Sequence, residues 1–396
     1  MMDKKLHQKQ SFLYSIQNKK LMLPVLGSIL LAFVLWLLPT GYEDAQIYQE
    51  ADRCRARVVE IDNSSIIDTG LVRSGEQRCT LELETGLFAG QTVTGVNMLS
   101  GSLEADKIFV PGDLAQVVVS YEGDTVLTVT MTDHFRLWQE GALALLFAVF
   151  LFAFAGIAGL RAILSFVITV LMLWKILVPC YLNGWNPVLT GLLLVLVLTA
   201  VIILLVYGCE RRTIAAVSGA FLGILTTALM GAVFNNAFRI HGAVMPYSES
   251  LLYSGYQYLN LTQIFIASIF IGASGAVMDL AVDITSAVYE VVQKKPDISW
   301  QEAARSGMNV GRAAMGTMTT TLLLAYSGGY IALLMVFMAQ GTHIDHILNY
   351  KYVSAEILDT MVGSLGLVTV APFTALTSRS EEHTSELQSL EAISYA

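Results

Sequence analysis

"VLTGLLLVLVLTAVIILLVY", residues 188–207, runs for 20 residues without a charge. At about 1.5 Å per residue such a helix is about 30 Å long, the thickness of a bilayer's hydrocarbon core. The rest of the chain has the same character. Of its 396 residues 55% are hydrophobic and 14% charged, with a mean hydropathy of +0.60. Soluble domains carry about 25% charged residues. The sequence therefore reads as a polytopic α-helical membrane protein with about eight transmembrane helices.

Working outward from that run, spans are expected near 21–39, 139–160, 161–179, 187–207, 213–234, 261–292, 312–339 and 353–377. The first follows a basic N-terminus with Lys4, Lys5, Lys9, Lys19 and Lys20. Lysine and arginine favour the cytoplasmic side of a membrane. The connectors "CERR" and "QKKPD", with Arg161, Arg305 and Arg312, fall on that side if both ends are inside. The outer loops "NGWNP" and "SESLLYSGYQYLN" carry no lysine or arginine. Between spans, Pro296 should stop one helix and Asp297 or Ser299 cap a short surface helix over 299–311 that leads into the next span.

Residues 40–137 change character. "RCRARVVEI", "QRCTLELET", "AQVVVSYEG" and "TVLTVTMT" alternate apolar and polar positions. They are separated by the turn signals "DNSS", "LFAGQ", "PGD" and "EGD". That pattern predicts a small antiparallel β-domain, a barrel or an OB-like fold, lying outside the cytoplasm after the first helix. The domain is acidic, which argues against nucleic acid as a partner. Cys54 and Cys79 both fall in it, and a disulfide and two free thiols are equally compatible with the spacing. The four divisions are thus 1–39, basic N-terminus and first helix; 40–137, β-domain; 138–378, a seven-helix membrane domain; and 379–396.

The last stretch, "RSEEHTSELQSLEAISYA", is abruptly polar. It looks like the in-frame translation of a sequencing adapter, with "RSEEHTSELQS" and "ISYA" as constant blocks around a segment of index length. It is set aside as an artefactual tail.

Chemistry concentrates in "GASGAVMDLAVDITSAVYE", residues 272–290. Asp279, Asp283, Ser286 and Glu290 share one helix face. An ionised aspartate at mid-membrane costs about 2.5–3.5 kcal/mol on the insertion scale, so such residues mark an ion or substrate path by default. The next span offers Thr317, Thr320 and Thr321, whose hydroxyls could complete that path. The structural alternative is an ion-pair lock in which Arg305 and Arg312, seven apart, reach Asp279 and Asp283. Gly272, Gly275 and Ala276, and the pair Gly328 and Gly329, are candidates for close helix packing or a helix break. "GASG" also resembles the Gly-x-Ser-Gly motif of intramembrane serine proteases, but no histidine lies in an apolar span to serve as base. "HIDH", residues 343–346, reads as a solvated loop and Lys175 as an interfacial side chain. No metal-ligand spacing, nucleotide fingerprint or cofactor motif is present, so the expectation is no metal, no cofactor and no enzyme.

The segments "GASGAVMDLAVDITSAVYEV", "ISWQEAARSGMNVGRAAMGTMTTTLLLAYSGG", "VAPFTALTS" and "GSLEADKIFVPGDLAQVVV" together resemble the YibE/F-like family of bacterial multipass membrane proteins. The resemblance covers the chain apart from the tail. It implies a multipass protein of the bacterial plasma (inner) membrane, described at most as a possible permease, and it assigns no biochemical activity. Two functional readings follow: a permease with a proton or cation path at Asp279 and Asp283, or an assembly or sensory protein whose β-domain binds an extracytoplasmic partner. The expected partners are the lipid bilayer, a small ion or solute, and a membrane or extracytoplasmic protein.

Overall fold

A computed structural model describes residues 22–42 and 51–394, with side chains through residue 378. The N-terminal lysines and the side chains of the proposed tail lie outside the described residues. Two compact units fall within Gly41–Phe154 and within Met1–Thr40 plus Ala155–Ala396.

The first unit holds six strands: β1 (Ala51–Asp62), β2 (Ile66–Asp68), β3 (Arg73–Leu83), β4 (Thr92–Ser100), β5 (Leu114–Glu122) and β6 (Thr125–His134). Five close into a barrel, β1–β5–β6–β4–β3 and back to β1; β2 pairs only with β3. Every contact in the ring is antiparallel except the short parallel pairing of β4 with β6. The alternation of the sequence is realised directly. Ala56 and Val58 on β1, Leu81 and Leu83 on β3, and Val117 and Val119 on β5 all point inward. A register shift between Val58 and Glu60 lets β1 bend from one neighbour to the other. Cys54 and Cys79 are buried free thiols in this core rather than a disulfide. Burial pushes both up to about 11, Cys54 with help from the Asp52 charge, so they stay protonated and inert at neutral pH.

β4 is the exception to apolar alternation, because Gly95 and Asn97 take inward positions. A Cβ at Gly95 would stand 2.3 Å from Leu81 Cδ1, so only glycine fits between β3 and β6. Asn97 and Gln77, both fully buried, meet inside the barrel. Gln77 Nε2 donates to Asn63 Oδ1 and to the Phe109 carbonyl, each at 2.9 Å, while Gln77 Oε1 accepts from the Phe109 N–H at 3.0 Å. Asn97 Nδ2 donates to Gln77 Oε1 and to the Lys107 carbonyl. This network pins the connection that carries Phe109 into the barrel.

The helical region begins with α1 (Met22–Leu37) and resumes with α2 (Leu137–Met172), which runs through a π-helical turn (Leu173–Leu177) into α3 (Val178–Leu182). There follow α4 (Pro187–Tyr207), α5 (Arg211–Phe238), α6 (Ser248–Tyr253), α7 (Leu261–Lys294), α8 (Trp300–Ser327), α9 (Ile331–Ala339), α10 (Ile344–Asn349) and α11 (Lys351–Ser394). Six helices among the described residues are long and apolar enough to cross a membrane. The difference from the eight expected lies at two places. The spans read at 139–160 and 161–179 form one continuous helical stretch, Leu137–Leu182, interrupted at Gly156, whose φ of 56° and ψ of −128° are non-helical. The described part of the first span, Met22–Leu37, is shorter than the other six.

Local signals account for several helix ends. Asn186 caps α4 through Val188 N–H and Leu189 N–H, with Pro187 in the first turn. Asn260 caps α7 through Gln263 N–H, and α7 ends at Lys294, just before Pro296. Ser299 caps α8 through Glu302 N–H. The surface helix expected over 299–311 is not a separate element. It continues without a break into the span as α8, because nothing in "RSGMNVGRAAMG" interrupts helical hydrogen bonding.

α7 is the most enclosed of the spans and packs against α4, α5, α8 and α11. Small residues set these distances. On α5, Gly219 and Gly223 are four apart and face α11: a Cβ would stand 2.3 Å from Thr374 Oγ1 at Gly219 and 2.9 Å from Val370 Cβ at Gly223. Gly366 on α11 answers against Thr227, whose hydroxyl a Cβ there would approach to 2.0 Å. Such small-xxx-small contacts are how helices approach closely in lipid, where apolar association gains nothing from water. Gly307 and Gly311 do the same for α8, against Val288 and Ile284 of α7.

Candidate functional site

α7 is 34 residues long, about 51 Å at 1.5 Å per residue. Asp279 lies about 27 Å from its start and Asp283 about 33 Å. A hydrocarbon core of about 30 Å centred on this helix contains both.

Around α7, the helical period of 3.6 separates three sides. Val282 packs with Ile203 and Tyr207 of α4, and Ile271 packs beside Leu194 and Leu198 of the same helix. On the far side Ile284 and Val288 take up the glycines of α8. Between these, Ser268, Gly272, Gly275, Asp279, Asp283 and Glu290 form a continuous exposed row. The most enclosed helix of the bundle thus leaves one strip uncovered, and the strip holds its carboxylates and its glycines. Carboxylates at this depth are incompatible with lipid chains, so the strip needs either water or another protein surface against it.

The expected partners of the pair are placed as follows. Among the described residues no ion pair within 4.0 Å joins Asp279 or Asp283 to Arg305 or Arg312. The reason is rotational. α8 meets its neighbours through Ala303, Gly307, Gly311 and Leu322. At about 100° per residue, Arg305 is turned some 200° from Ala303, and Arg312 about 100° from Gly311. Both arginines are exposed. Thr317, Thr320 and Thr321 are also exposed, and each hydroxyl donates to a carbonyl of its own helix: Ala314, Gly316 and Thr317, at 2.9–3.1 Å. The structure does not bring them to the aspartates.

Ser286 is engaged. Its Oγ lies 2.7 Å from Tyr207 Oη, and the phenol donates to the Val282 carbonyl, so the serine hydroxyl is the donor to the phenol oxygen. Arg212 stacks on the Tyr207 ring at 4.5 Å and the Tyr289 ring at 4.9 Å, and pairs with Glu210 at 2.7 Å. The cytoplasmic end expected for α4 and α7 is therefore a closed aromatic and arginine cluster. Arg161 adds to it by donating to the Leu205 carbonyl at 2.9 Å. Glu290 pairs with Lys294 one turn on.

The glycines divide. A Cβ at Gly272 would meet Tyr326 Oη at 2.7 Å, and Ala276 is partly buried against the core. Gly275, Gly328 and Gly329 have nothing within 4 Å of that position, so they bring no helices together within this chain. Gly328–Tyr330 is a 3-10 turn between α8 and α9. Ser274 donates to the Ile271 carbonyl at 2.6 Å, an ordinary helical back-bond. His343 caps α10 through Asp345 N–H, so "HIDH" begins a helix. Lys175 lies 5.2 Å over the Trp174 ring. Among the described residues no group of three or more His, Cys, Asp or Glu side chains could hold a metal ion.

One cluster was not anticipated. Glu356 and Asp359, inside "AEILDT" on α11, lie beside Tyr326 and Tyr330. The signal was the same as in α7, acids within an apolar run, but these fall in the first turns of a span, where a sequence reading places the solvated interface.

The chain matches the family described as YibE/F-like protein over residues 143–380. That is more than half its length, and the chain belongs to this family. No curated protein matches it, and no solved structure does.

Proposed function

We propose that this protein is a permease of the bacterial plasma membrane that moves a proton or small cation, with Asp279 and Asp283 as the charge-carrying groups. One observation carries the reading: two mid-helix carboxylates lie on an uncovered strip of α7, between α4 and α8, with no ion pair within 4.0 Å among the described residues. Gly275 on the same strip leaves room beside the backbone for water or an ion, while the place beside Gly272 is taken by Tyr326 Oη. In this reading the eight-span count follows if Leu137–Leu182 crosses twice, folding at Gly156, and the segment holding Met22–Leu37 crosses once. The barrel then lies outside the cytoplasm. Its ring of β1, β3, β4, β6 and β5, with one parallel closure, has the connectivity of an OB-like Greek-key barrel. It would serve as a binding or assembly module.

A second reading rests on the same strip. Small residues beside acids also suit the helix of a partner protein, with the protein acting in assembly or sensing. Flux measurements in proteoliposomes separate the two. Proton or alkali-cation flux driven by a gradient is expected for the native chain and should fall to the level of empty vesicles in Asp279→Asn with Asp283→Asn. Flux that survives both substitutions removes the carboxylate path. Absence of flux under every gradient removes the permease reading and leaves the partner-binding one.

A further inference from the structure

Glu356, Asp359 and Thr360 share one side of α11, since Glu356 stands three residues from Asp359 and four from Thr360. α8 lies against α11 where a Cβ at Gly363 would stand 3.9 Å from Leu322, so Tyr326, one turn on at the end of α8, and Tyr330 in the 3-10 turn come to the level of the two carboxylates. Tyr326 Oη is directed at the α7 backbone, in the space that Gly272 leaves open. Three helices thus converge on one polar point.

Eleven buried side-chain polar atoms among the described residues lack a hydrogen-bond partner, and four of them are here: Tyr326 Oη, Glu356 Oε1, Asp359 Oδ1 and Thr360 Oγ1. Thr360 is 4% exposed, and its hydroxyl is not bonded back to its own helix as those of Thr317, Thr320 and Thr321 are. Buried polar atoms in folded proteins are almost always paired, and a group of orphans in one place calls for an occupant.

The charge balance says which kind. α5 carries ionisable residues only at its start, Arg211 and Arg212, and the half of α7 before Asp279 carries none. The segment holding Ile240 and Val244, packed on Ala355 and Leu358, brings the exposed Arg239 and His241, whose Nδ1 accepts from Ala243 N–H, and α10, which also packs on α11, brings the exposed Asp345 and His346. α11 itself adds Tyr352 and the exposed Lys351, which stacks over the Tyr352 ring at 4.9 Å. No ion pair within 4.0 Å reaches Glu356 or Asp359 among the described residues. Glu356 and Asp359 are half-buried and each has one oxygen shut off from solvent, so a positive charge between the two carboxylates would offset their repulsion and the cost of burying them.

We propose that Glu356, Asp359, Thr360 and Tyr326 form a second cation site, which holds one positive charge, a proton or an alkali cation, between the two carboxylates. The four ligands are all oxygens, the donors that hard cations take. The site does not depend on the role given to Asp279 and Asp283, since it is built on α11 and α8.

The test is infrared spectroscopy of the full chain in lipid nanodiscs, in alkali-free buffer at neutral pH. The carboxylic C=O stretch of a protonated acid is the readout. The native chain should show an absorption that Glu356→Gln with Asp359→Asn removes and Asp279→Asn with Asp283→Asn leaves in place. Adding sodium or potassium then distinguishes the two sources. Loss of the band with proton release identifies an alkali cation competing for the site, and persistence of the band identifies a proton site. If the double variant does not fold, each single substitution must shift or abolish the band. A native spectrum identical in this region to that of the double variant, or unmoved by either single variant, overturns the proposal.

Discussion

The barrel and the bundle each bury polar side chains in an apolar surrounding, and they treat them in opposite ways. In the barrel, Gln77 and Asn97 are fully buried, and of their four amide atoms only Asn97 Oδ1 lacks a partner. In the bundle, Glu356, Asp359, Thr360 and Tyr326 each keep an orphaned oxygen, and the exposed Asp279 and Asp283 make no ion pair within 4.0 Å among the described residues. A satisfied buried network holds a fold, because removing one member strands the others. An unsatisfied one contributes nothing to hold the fold and leaves its atoms available to an occupant.

The contrast breaks most visibly by substitution. Gln77→Leu would strand the Phe109 N–H and deprive the Phe109 carbonyl and Asn97 amide of a partner inside the barrel. At about 1–3 kcal/mol for each orphaned buried group, the loss should be about 3 kcal/mol or more. Hydrogen exchange of β3, β4 and the Phe109 segment in the full chain measures it. In the same experiment Asp279→Asn with Asp283→Asn should leave α7 protection unchanged or raised. Equal losses in both regions would remove the distinction.

A smaller effect sharpens the same comparison at the barrel rim. Asp106 accepts from the N–H groups of Ser100, Gly101 and Ser102 at 2.7–3.0 Å, and from Ser100 Oγ. These bonds, with the Ser100 N–H foremost, hold its carboxyl below the ordinary carboxylate range. A group depressed on folding stabilises above its unfolded value, about 3.9, and that contribution disappears as pH falls through the folded value. Protection of the 100–106 turn, taken relative to the intrinsic exchange rate at each pH, should therefore fall below about pH 4. In Asp106→Asn that protection should be lower at neutral pH and nearly independent of pH across that window. A turn with the same acid response in both chains would show that Asp106 does not hold it.

How much of this was legible follows from what each residue is bonded to. Strands β1, β3, β5 and β6 were visible because apolar side chains occupy every second position. β4 was the hardest to see, since Gly95 and Asn97 take inward places for reasons set by Leu81 and Gln77, far away in sequence. In the membrane region the apolar runs fixed where helices lie. They could not show the break within Leu137–Leu182, because that lies in the backbone at Gly156. The aspartates of α7 stood out as charges in an apolar run. The threonines of α8 looked equally suggestive, yet their hydroxyls are satisfied locally, which spacing does not reveal. The α5–α11 contact was present in the sequence as Gly219, Gly223, Thr227 and Gly231 at intervals of four. The Glu356 cluster was not, since Tyr326 and Gly272 join it only through packing.

In the proposed permease the Asp279–Asp283 strip of α7 is lined by water. Gly275 sits in the middle of that strip with open space beyond it. The direct measurement is reaction of Gly275→Cys with a membrane-impermeant thiol reagent, in membranes carrying the full chain with Cys54, Cys79, Cys180 and Cys209 replaced. Leu324→Cys, on the exposed apolar side of α8, serves as the lipid-facing reference. Labelling at position 275 and protection at 324 is the predicted result; protection at both positions would contradict it.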